Sequence, residues 1–170
     1  RDAIFGGVRP AGDLMGAVFV DDKKWRKIVA DVAEIATQVA KVGVLQDSGT
    51  EPDGVSMVEL AAIHEFGAPN ANIPERSFIR STFRDRQREA ATMAERLAKA
   101  IVLRGMPVKQ ALGLLGAWGA AEVKRTITSG DGVPPPLKPA TIARKGSSRP
   151  LVDTGRLLAS ITWEVGAVEP

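Results

Sequence analysis

The sequence contains no cysteine and only one histidine, His64. The absence of cysteine excludes a disulfide scaffold, a thiol nucleophile and the common zinc sites. A single imidazole also excludes a metal cluster built from several histidines of one chain, and we expect neither a metal nor a cofactor. No apolar run approaches the roughly 20 residues of a transmembrane helix, and no secretory signal pattern opens the chain. The sequence therefore predicts no membrane span and no secretory signal.

The signatures of common catalytic sites are missing as well. The glycines match neither GxxxxGK[ST] nor a GxGxxG that follows a strand. His64 and Glu65 are adjacent and would point about 100° apart on a helix, so they do not form an acid–base pair by default. Asp153 or Thr154 is interpreted as the cap of a helical turn. We therefore expect no enzyme; a hydrolase would have to rely on carboxylates, and activity lost in a folded His64→Ala variant would be the evidence for one.

The chain has 170 residues and a mass of 18.0 kDa, with 44% hydrophobic and 25% charged residues. These values are ordinary for a globular protein with one core. Residues 1–16 include five glycines or prolines, and we predict a flexible N-terminal arm there. Residues 17–170 are predicted to form a single domain. Within it, the proline-rich segment 130–150 is a long loop of a kind that is often functional.

Apolar residues recur at helical spacing in four segments, which are residues 21–40, 56–66, 75–103 and 107–128. Ser56 and Glu59 form a capping box at the start of the second segment. Shorter helical turns are expected at residues 140–145 and 154–158. Apolar or alternating stretches predict strands at residues 17–20, 42–46 and 160–165.

Three glycines, Gly113, Gly116 and Gly119, recur every third residue in the last long helical segment. Each costs roughly 1 kcal/mol of helix propensity relative to alanine. Their spacing predicts that the backbone of another element packs closely against this helix.

The net charge is only +3, but it is unevenly distributed. Residues 1–75 carry a net charge of −5, residues 76–133 carry +6 and residues 134–170 carry +2. Opposite charges on two parts of a chain favour head-to-tail stacking of copies, or one face directed at DNA or an acidic partner. Solvated helix faces would give the same distribution.

Four arginines follow one another at steps of four residues, which predicts a row along one helix face: Arg76, Arg80, Arg84 and Arg88. Like charges at this spacing repel each other. A protein partner or a DNA backbone would relieve that repulsion, and so would local acidic neighbours on a solvated face. There is no interleaved exposed aromatic series that would read bases.

Two pairs of sequence stretches carry a resemblance to a known family. The first pair is Val58–Gly67 (VELAAIHEFG) with Ile73–Arg80 (IPERSFIR). The second is Pro136–Gly146 (PLKPATIARKG) with Pro150–Ile161 (PLVDTGRLLASI). In this order they resemble the tail-completion, or neck, proteins of tailed bacteriophages, which include the group of lambda minor tail protein Z and related virion morphogenesis proteins. The resemblance covers roughly residues 56–165.

The resemblance implies an α+β fold with a small antiparallel sheet packed against a long helix and further helices. It implies a non-catalytic structural protein of the virion, made in the host cytoplasm. The subunits would form a ring, of six or twelve copies in the particle, around the DNA channel between the portal and the tail tube. Its partners would be other connector and tail proteins, with non-specific contact to genomic DNA and none to a membrane.

The motif residues are expected to have structural roles, and they are His64, Glu65, Phe66, Gly67, Pro74, Phe78, Asp153, Thr154 and Gly155. In particular, Phe66 is predicted to close its helix as an aromatic plug, and Phe78 and Phe83 to lie in the core. The basic residues expected to face a partner or the DNA channel are Arg76, Arg80, Arg84, Arg88, Lys138, Arg144, Lys145 and Arg149.

The alternative function is a DNA-binding accessory protein without sequence specificity. Its contact surface would be the arginine row and the loop 130–150. Binding that weakens steeply with salt would favour this alternative.

Overall fold

The computed structural model describes residues 22–46, 48–52, 54–129, 133–146, 148–152 and 155–169. Seven α-helices and two strands lie in these ranges: α1 (Asp22–Thr37), β1 (Gln38–Val44), α2 (Met57–Phe66), α3 (Ile79–Asp85), α4 (Gln87–Arg104), α5 (Val108–Thr128), α6 (Pro139–Lys145), α7 (Arg156–Ser160) and β2 (Ile161–Ala167). A 3-10 turn at Pro69–Ala71 follows α2. The predicted arm 1–16, the predicted strand 17–20, and Asp153 and Thr154 lie outside the described residues.

The two strands form an antiparallel sheet in which Gln38 pairs with Ala167 and Val44 pairs with Ile161. The sheet lies on α5, the longest helix of the described part of the chain. A two-stranded sheet is marginal alone and needs such a helix for stability. The predicted α+β class, with a small antiparallel sheet against a long helix, is thus confirmed. Strand β1 begins at Gln38, earlier than the predicted strand 42–46, because α1 ends at Thr37.

The glycine row of α5 faces the sheet, as a close approach requires. The Trp163 ring covers Gly113 and Gly116, and a Cβ built on Gly116 would lie 3.1 Å from Trp163 Cβ. At Gly119 a Cβ would lie 3.1 Å from Val42 Cγ2. The prediction of close packing is therefore correct, but the prediction of a backbone as the partner is wrong. Side chains fill the groove: the Trp163 ring takes the space at Gly113 and Gly116, and Val42 and Phe83 take the space at Gly119.

The main core lies between α5, the sheet and the motif segments. Phe78, Val123 and Ile127 are completely buried in it, and Ile161 brings the start of β2 into the same cluster. Phe83 packs against this cluster from the side and is only half-buried. The predicted core positions of both phenylalanines are thus borne out, with Phe78 the better enclosed.

A second cluster joins α4 to α5 as an antiparallel hairpin. Leu97 and Ile101 from α4 pack against Val108 and Ala111 from α5. Gly105 makes the turn at φ 69°, the left-handed conformation that glycine adopts without strain. Gly105 ends α4, and the extended Pro107 directly precedes α5. This helix boundary could therefore be predicted from the sequence.

The predicted helix 75–103 is wrong as a single helix, because the chain turns at Arg86 (φ −105°, ψ 18°). The hydroxyl of Thr82 donates to the carbonyl oxygen of Phe78, a type of contact that bends helices. At the turn, Arg86 Nε lies 3.5 Å from a carboxylate oxygen of Glu122, which is buried on α5. The turn lets α3 pack on one end of α5 and α4 on the other.

Helix α1 is present as predicted, but its apolar stripe points outward. Trp25, Val29 and Val32 are 57%, 51% and 56% exposed. The side that faces the rest of the protein carries Asp31, which is buried and accepts from Lys27 Nζ at 2.6 Å. The usual arrangement, with the apolar face on the core, is therefore reversed in this helix.

Candidate functional site

The buried carboxylate of Glu65 connects the first pair of motif stretches. One of its oxygens, Oε2, accepts hydrogen bonds from the backbone amides of Phe78 (2.8 Å) and Ile79 (2.9 Å). The other, Oε1, accepts from Ser77 Oγ (2.8 Å) and from Arg80 N and Nε (3.0 Å each). Glu65, near the end of α2, therefore caps the start of α3. Phe78, the residue at the N-cap position of α3, forms no side-chain capping bond of its own.

The electrostatics of Glu65 follow from this arrangement. Burial opposes its ionisation, but the hydrogen bonds from Ile79, Arg80 and Ser77 more than compensate, so its pKa lies below the ordinary value. The residue is 4% exposed and remains a carboxylate at neutral pH. Its fixed charge belongs to the fold, which agrees with the structural role predicted for it.

Phe66 does not close its helix as a plug, so that prediction is wrong. The ring is 62% exposed, and the Arg80 guanidinium lies over it with Cζ 4.7 Å from the ring centroid. Because Arg80 is already bound to Glu65 and to Glu75 (2.9 Å), the ring covers an ion-paired arginine instead of entering the core.

Gly67 allows the chain to return immediately after α2. Its φ is 76°, and a Cβ there would lie 2.7 Å from the backbone nitrogen of Glu75. No side chain fits this position without backbone movement. The return brings the amide of Arg76 to 2.8 Å from the carbonyl oxygen of His64, and it thereby places the two side chains on one surface.

The second pair of motif stretches meets this surface and encloses a pocket of about 550 Å³. The pocket lies between α2, the segment before α3, α6 and α7. Its polar lining in the described part of the chain includes His64, Arg76, Thr141, Arg144, Lys145 and Arg156. All four motif stretches, which are separated along some 100 residues of sequence, thus contribute to one site.

Arg76 lies at the closed side of the pocket and is only 7% exposed. Its Nε donates to the carbonyl oxygen of Pro135 at 3.1 Å, and no carboxylate of the described residues lies within ion-pair distance of it. Burial lowers the pKa of Arg76, but an arginine stays protonated in proteins. A buried positive charge without a counter-charge is costly.

His64 lies beside Arg76 in the same pocket. Its Nδ1 is enclosed and has no hydrogen-bond partner among the residues that the structure describes. Burial, and then the charges of Arg76 and Lys145, lowers the pKa of His64 below its ordinary value of 6.5. The imidazole is therefore neutral at pH 7 and has an unused nitrogen directed into a cationic environment.

The predicted row of four arginines along one helix face does not exist. Arg76 precedes α3 and is buried, and Arg80 is held by Glu65. Arg84 is exposed beside Asp85, at 2.9 Å, and Arg88 is exposed on α4 beyond the turn at Arg86. The row fails because Arg76 precedes α3 and the helix is interrupted at Arg86, so one helical periodicity does not connect the four positions.

The basic residues of the second motif pair separate into two groups. Arg144 and Lys145 reach the pocket from α6. Lys138 and Arg149 are exposed outside its lining. Arg156, which the sequence interpretation did not select, also lines the pocket and binds Glu51 at 3.1 Å. Arg156 directly follows Gly155 in the motif stretch Pro150–Ile161, and its place in that motif is the sequence signal that could have identified it.

A second, wider cleft of about 970 Å³ runs beside the sheet. Its lining includes Lys41, which is bound to Glu169, and Glu164 across the strand pair. Its charges are thus already paired within the chain. In the cationic pocket, in contrast, Arg76 has no carboxylate partner and His64 Nδ1 has no hydrogen-bond partner among the described residues. This pocket is therefore the better candidate for a binding site.

Comparisons with models of known protein families, with curated proteins and with solved structures find no significant match for this chain. Within the described ranges, no group of three or more potential metal ligands comes together. No helix in those ranges is both long enough and apolar enough to cross a membrane.

Proposed function

We propose that this protein is a structural subunit of the head–tail joint of a tailed bacteriophage, which assembles as a ring around the DNA channel and performs no catalysis. The observation that supports the proposal most is the convergence of all four motif stretches on Glu65 and the cationic pocket. The four stretches lie apart in the sequence but form one structural unit. This supports the interpretation of the stretches as one family pattern and not as four unrelated short matches.

The outward apolar stripe of α1 supports assembly with other subunits. Three large side chains, Trp25, Val29 and Val32, are each more than half exposed, and Ile35 extends the stripe at 39%. Contiguous apolar surface of this kind marks interaction sites. We assign it to contact with a second copy of the chain. This contact would place the acidic part of one copy, residues 1–75, near the basic part of the next, residues 76–133, which have net charges of −5 and +6.

Exposed arginines on the α3–α4 surface are compatible with a DNA channel. Arg84 and Arg88 lie on neighbouring turns of chain around Arg86, and both are exposed. Scattered cations give weak, sequence-independent phosphate contacts. Such weak contacts suit a channel, because tight binding would hold back DNA that has to pass.

The test of this function is quantitative peptide mass spectrometry on purified particles of the source phage or induced prophage. We expect about six or twelve copies per particle, since a closed ring has cyclic symmetry. Hundreds of copies would assign the protein to the tail tube or the capsid. Absence from particles, together with DNA binding that falls steeply with salt, would replace the proposal by the alternative of a DNA-binding accessory protein.

The role of α1 is tested by the double variant Trp25→Ser/Val29→Ser. Both side chains are exposed, so we expect an unchanged unfolding midpoint but loss of ring assembly and of infectious particles in complementation. Val58→Ser on α2 is the matched control, because Val58 is also exposed, at 36%, but lies on another element. Normal assembly of the double variant would contradict the assignment of this surface.

A further inference from the structure

Arg76 is a buried cation that has no carboxylate partner among the described residues. Within the described part of the chain, its guanidinium has one hydrogen bond, from Nε to Pro135 O, although the residue is more than nine-tenths buried. Glu51, the acidic residue in the described lining, is bound to Arg156 instead. Buried charges in proteins are paired as a rule, and an unpaired one indicates a missing ion or ligand. The missing species at Arg76 is an anion.

His64 supplies a second, independent indication at the same place. Its Nδ1 is buried without a partner, and buried polar atoms without one are uncommon in native proteins. An anion that accepts from Arg76 has oxygens within the same pocket to which the neutral imidazole of His64 can donate from an Nδ1–H. One ligand would thus satisfy both groups.

We infer that this pocket binds a phosphate group, held at its closed side by Arg76 and His64 and at its rim by Arg144 and Lys145. The donors approach from different elements: α2, the segment before α3, and α6. A phosphate has three or four acceptor oxygens in a tetrahedral arrangement and suits donors from several directions, whereas a carboxylate offers two oxygens in one plane. The phosphate group belongs either to the free ion or to a DNA backbone, and both sources present the same oxygens.

The inference is tested by titrating the full chain with inorganic phosphate at constant ionic strength. The chain has a single histidine, so the imidazole carbon and proton NMR signals report on the pocket without assignment by mutation. We expect a saturable shift of these signals and a matching rise in unfolding temperature, as ligand linkage requires. A shift that grows linearly without saturation, or an equal affinity for acetate, would overturn the assignment of a phosphate site.

Variants separate this site from general attraction to positive charge. Arg144→Gln removes an exposed rim cation, and we expect about tenfold weaker phosphate binding with an unchanged unfolding midpoint. Arg84→Gln is the matched control, an exposed arginine outside the lining, and should bind like the wild type. An equal loss in both variants would refute a specific site. Arg76→Gln is informative only if it folds, and it should then abolish the saturable shift.

The source of the phosphate is identified by competition. If a short DNA duplex displaces inorganic phosphate from the His64 pocket and Arg144→Gln weakens this effect, the pocket holds a backbone phosphodiester. If the duplex leaves the phosphate-saturated histidine signals unchanged, the pocket holds the free ion. Since the particle composition is measured independently, failure of this site and failure of the proposed ring function are distinguishable.

Discussion

Replacement of Glu65 by glutamine should remove a large part of the stability of this fold. The substitution preserves the size of the side chain but replaces one carboxylate oxygen by an NH₂ group. Oε2 accepts from two backbone amides and Oε1 accepts from three donors of Ser77 and Arg80. With the amide nitrogen at the Oε2 position, the backbone amides of Phe78 and Ile79 face another donor; at the Oε1 position, the two nitrogens of Arg80 do.

The magnitude follows from the number of donors that lose their acceptor. Each buried polar group without a partner costs about 1–3 kcal/mol, so two of them cost about 2–6 kcal/mol. Domains of this size are stable by about 5–15 kcal/mol. Glu65→Gln should therefore remove a substantial fraction of the free energy of unfolding, and the first turn of α3 should loosen first.

The measurement is urea unfolding at pH 7, followed by circular dichroism. Glu59→Gln is the matched control, because Glu59 lies on the same helix with an exposed side chain and should change stability by less than about 0.5 kcal/mol. If the two variants differ by less than about 0.5 kcal/mol, the carboxylate does not hold α3 in place and the reasoning fails.

The pH dependence of the same variant provides a second readout. The folded-state pKa of Glu65 is lowered from the ordinary 4.5, so the unfolded chain takes up this proton first as the pH falls. Its contribution is fully present above that value and is lost as the pH falls through the folded-state pKa. The stability difference between wild type and Glu65→Gln should therefore shrink below about pH 4.5. A difference that stays constant to lower pH would show that the charge is not involved.

Two further predictions concern packing and the histidine. Gly116→Ala gains about 1 kcal/mol of helix propensity but forces a Cβ to 3.1 Å from both Cβ and Cε3 of Trp163, which costs about 1–3 kcal/mol. We expect net destabilisation in urea unfolding. The double variant with Trp163→Leu keeps the Cβ contact but removes the ring, so it should relieve part of this cost, and additive effects of the two substitutions would contradict the ring contact. Because the folded-state pKa of His64 is lowered from 6.5, the unfolded chain binds the proton first, so stability should fall as the pH drops below that value. His64→Gln should flatten this slope in unfolding curves measured from about pH 7 to 5, and an unaltered slope would exclude His64 as its origin.

The helices that were predicted best are those whose first residues follow a capping residue or a proline in the sequence. Helix α2 begins at its capping serine, with Ser56 Oγ accepting from Glu59 N at 3.1 Å, and α5 begins just after Pro107. The turn at Arg86 was not predictable, since no glycine or proline lies there. At the turn, Arg86 Nε lies 3.5 Å from Glu122, a residue 36 positions further along the chain, and no local pattern signals such a contact.

The candidate site was predictable in its members but not in its geometry. The motif stretches drew attention to His64, Arg76, Arg144 and Lys145, all of which line the pocket. The interpretation of the basic residues as an outward surface was wrong for Arg76, which is buried, because burial depends on how the second motif pair folds over the first. The outward direction of the apolar stripe on α1 could not be predicted either. Helical periodicity of apolar residues predicts that one helix face is buried, but it does not say whether the same subunit or another one buries that face.

The pairing of β1 with β2 has a consequence for synthesis. Residues 38–44 leave the ribosome well before their pairing partners, because residues 161–167 lie more than 100 positions further along the chain. Until then the groove of α5 that receives Trp163 stays open, and the edge of β1 has no neighbour. Contacts between such distant parts of a chain slow folding and prolong the exposure of aggregation-prone surface. The nascent protein therefore depends on β2, and a chain that stops before Ile161 should be a target for chaperones and proteases.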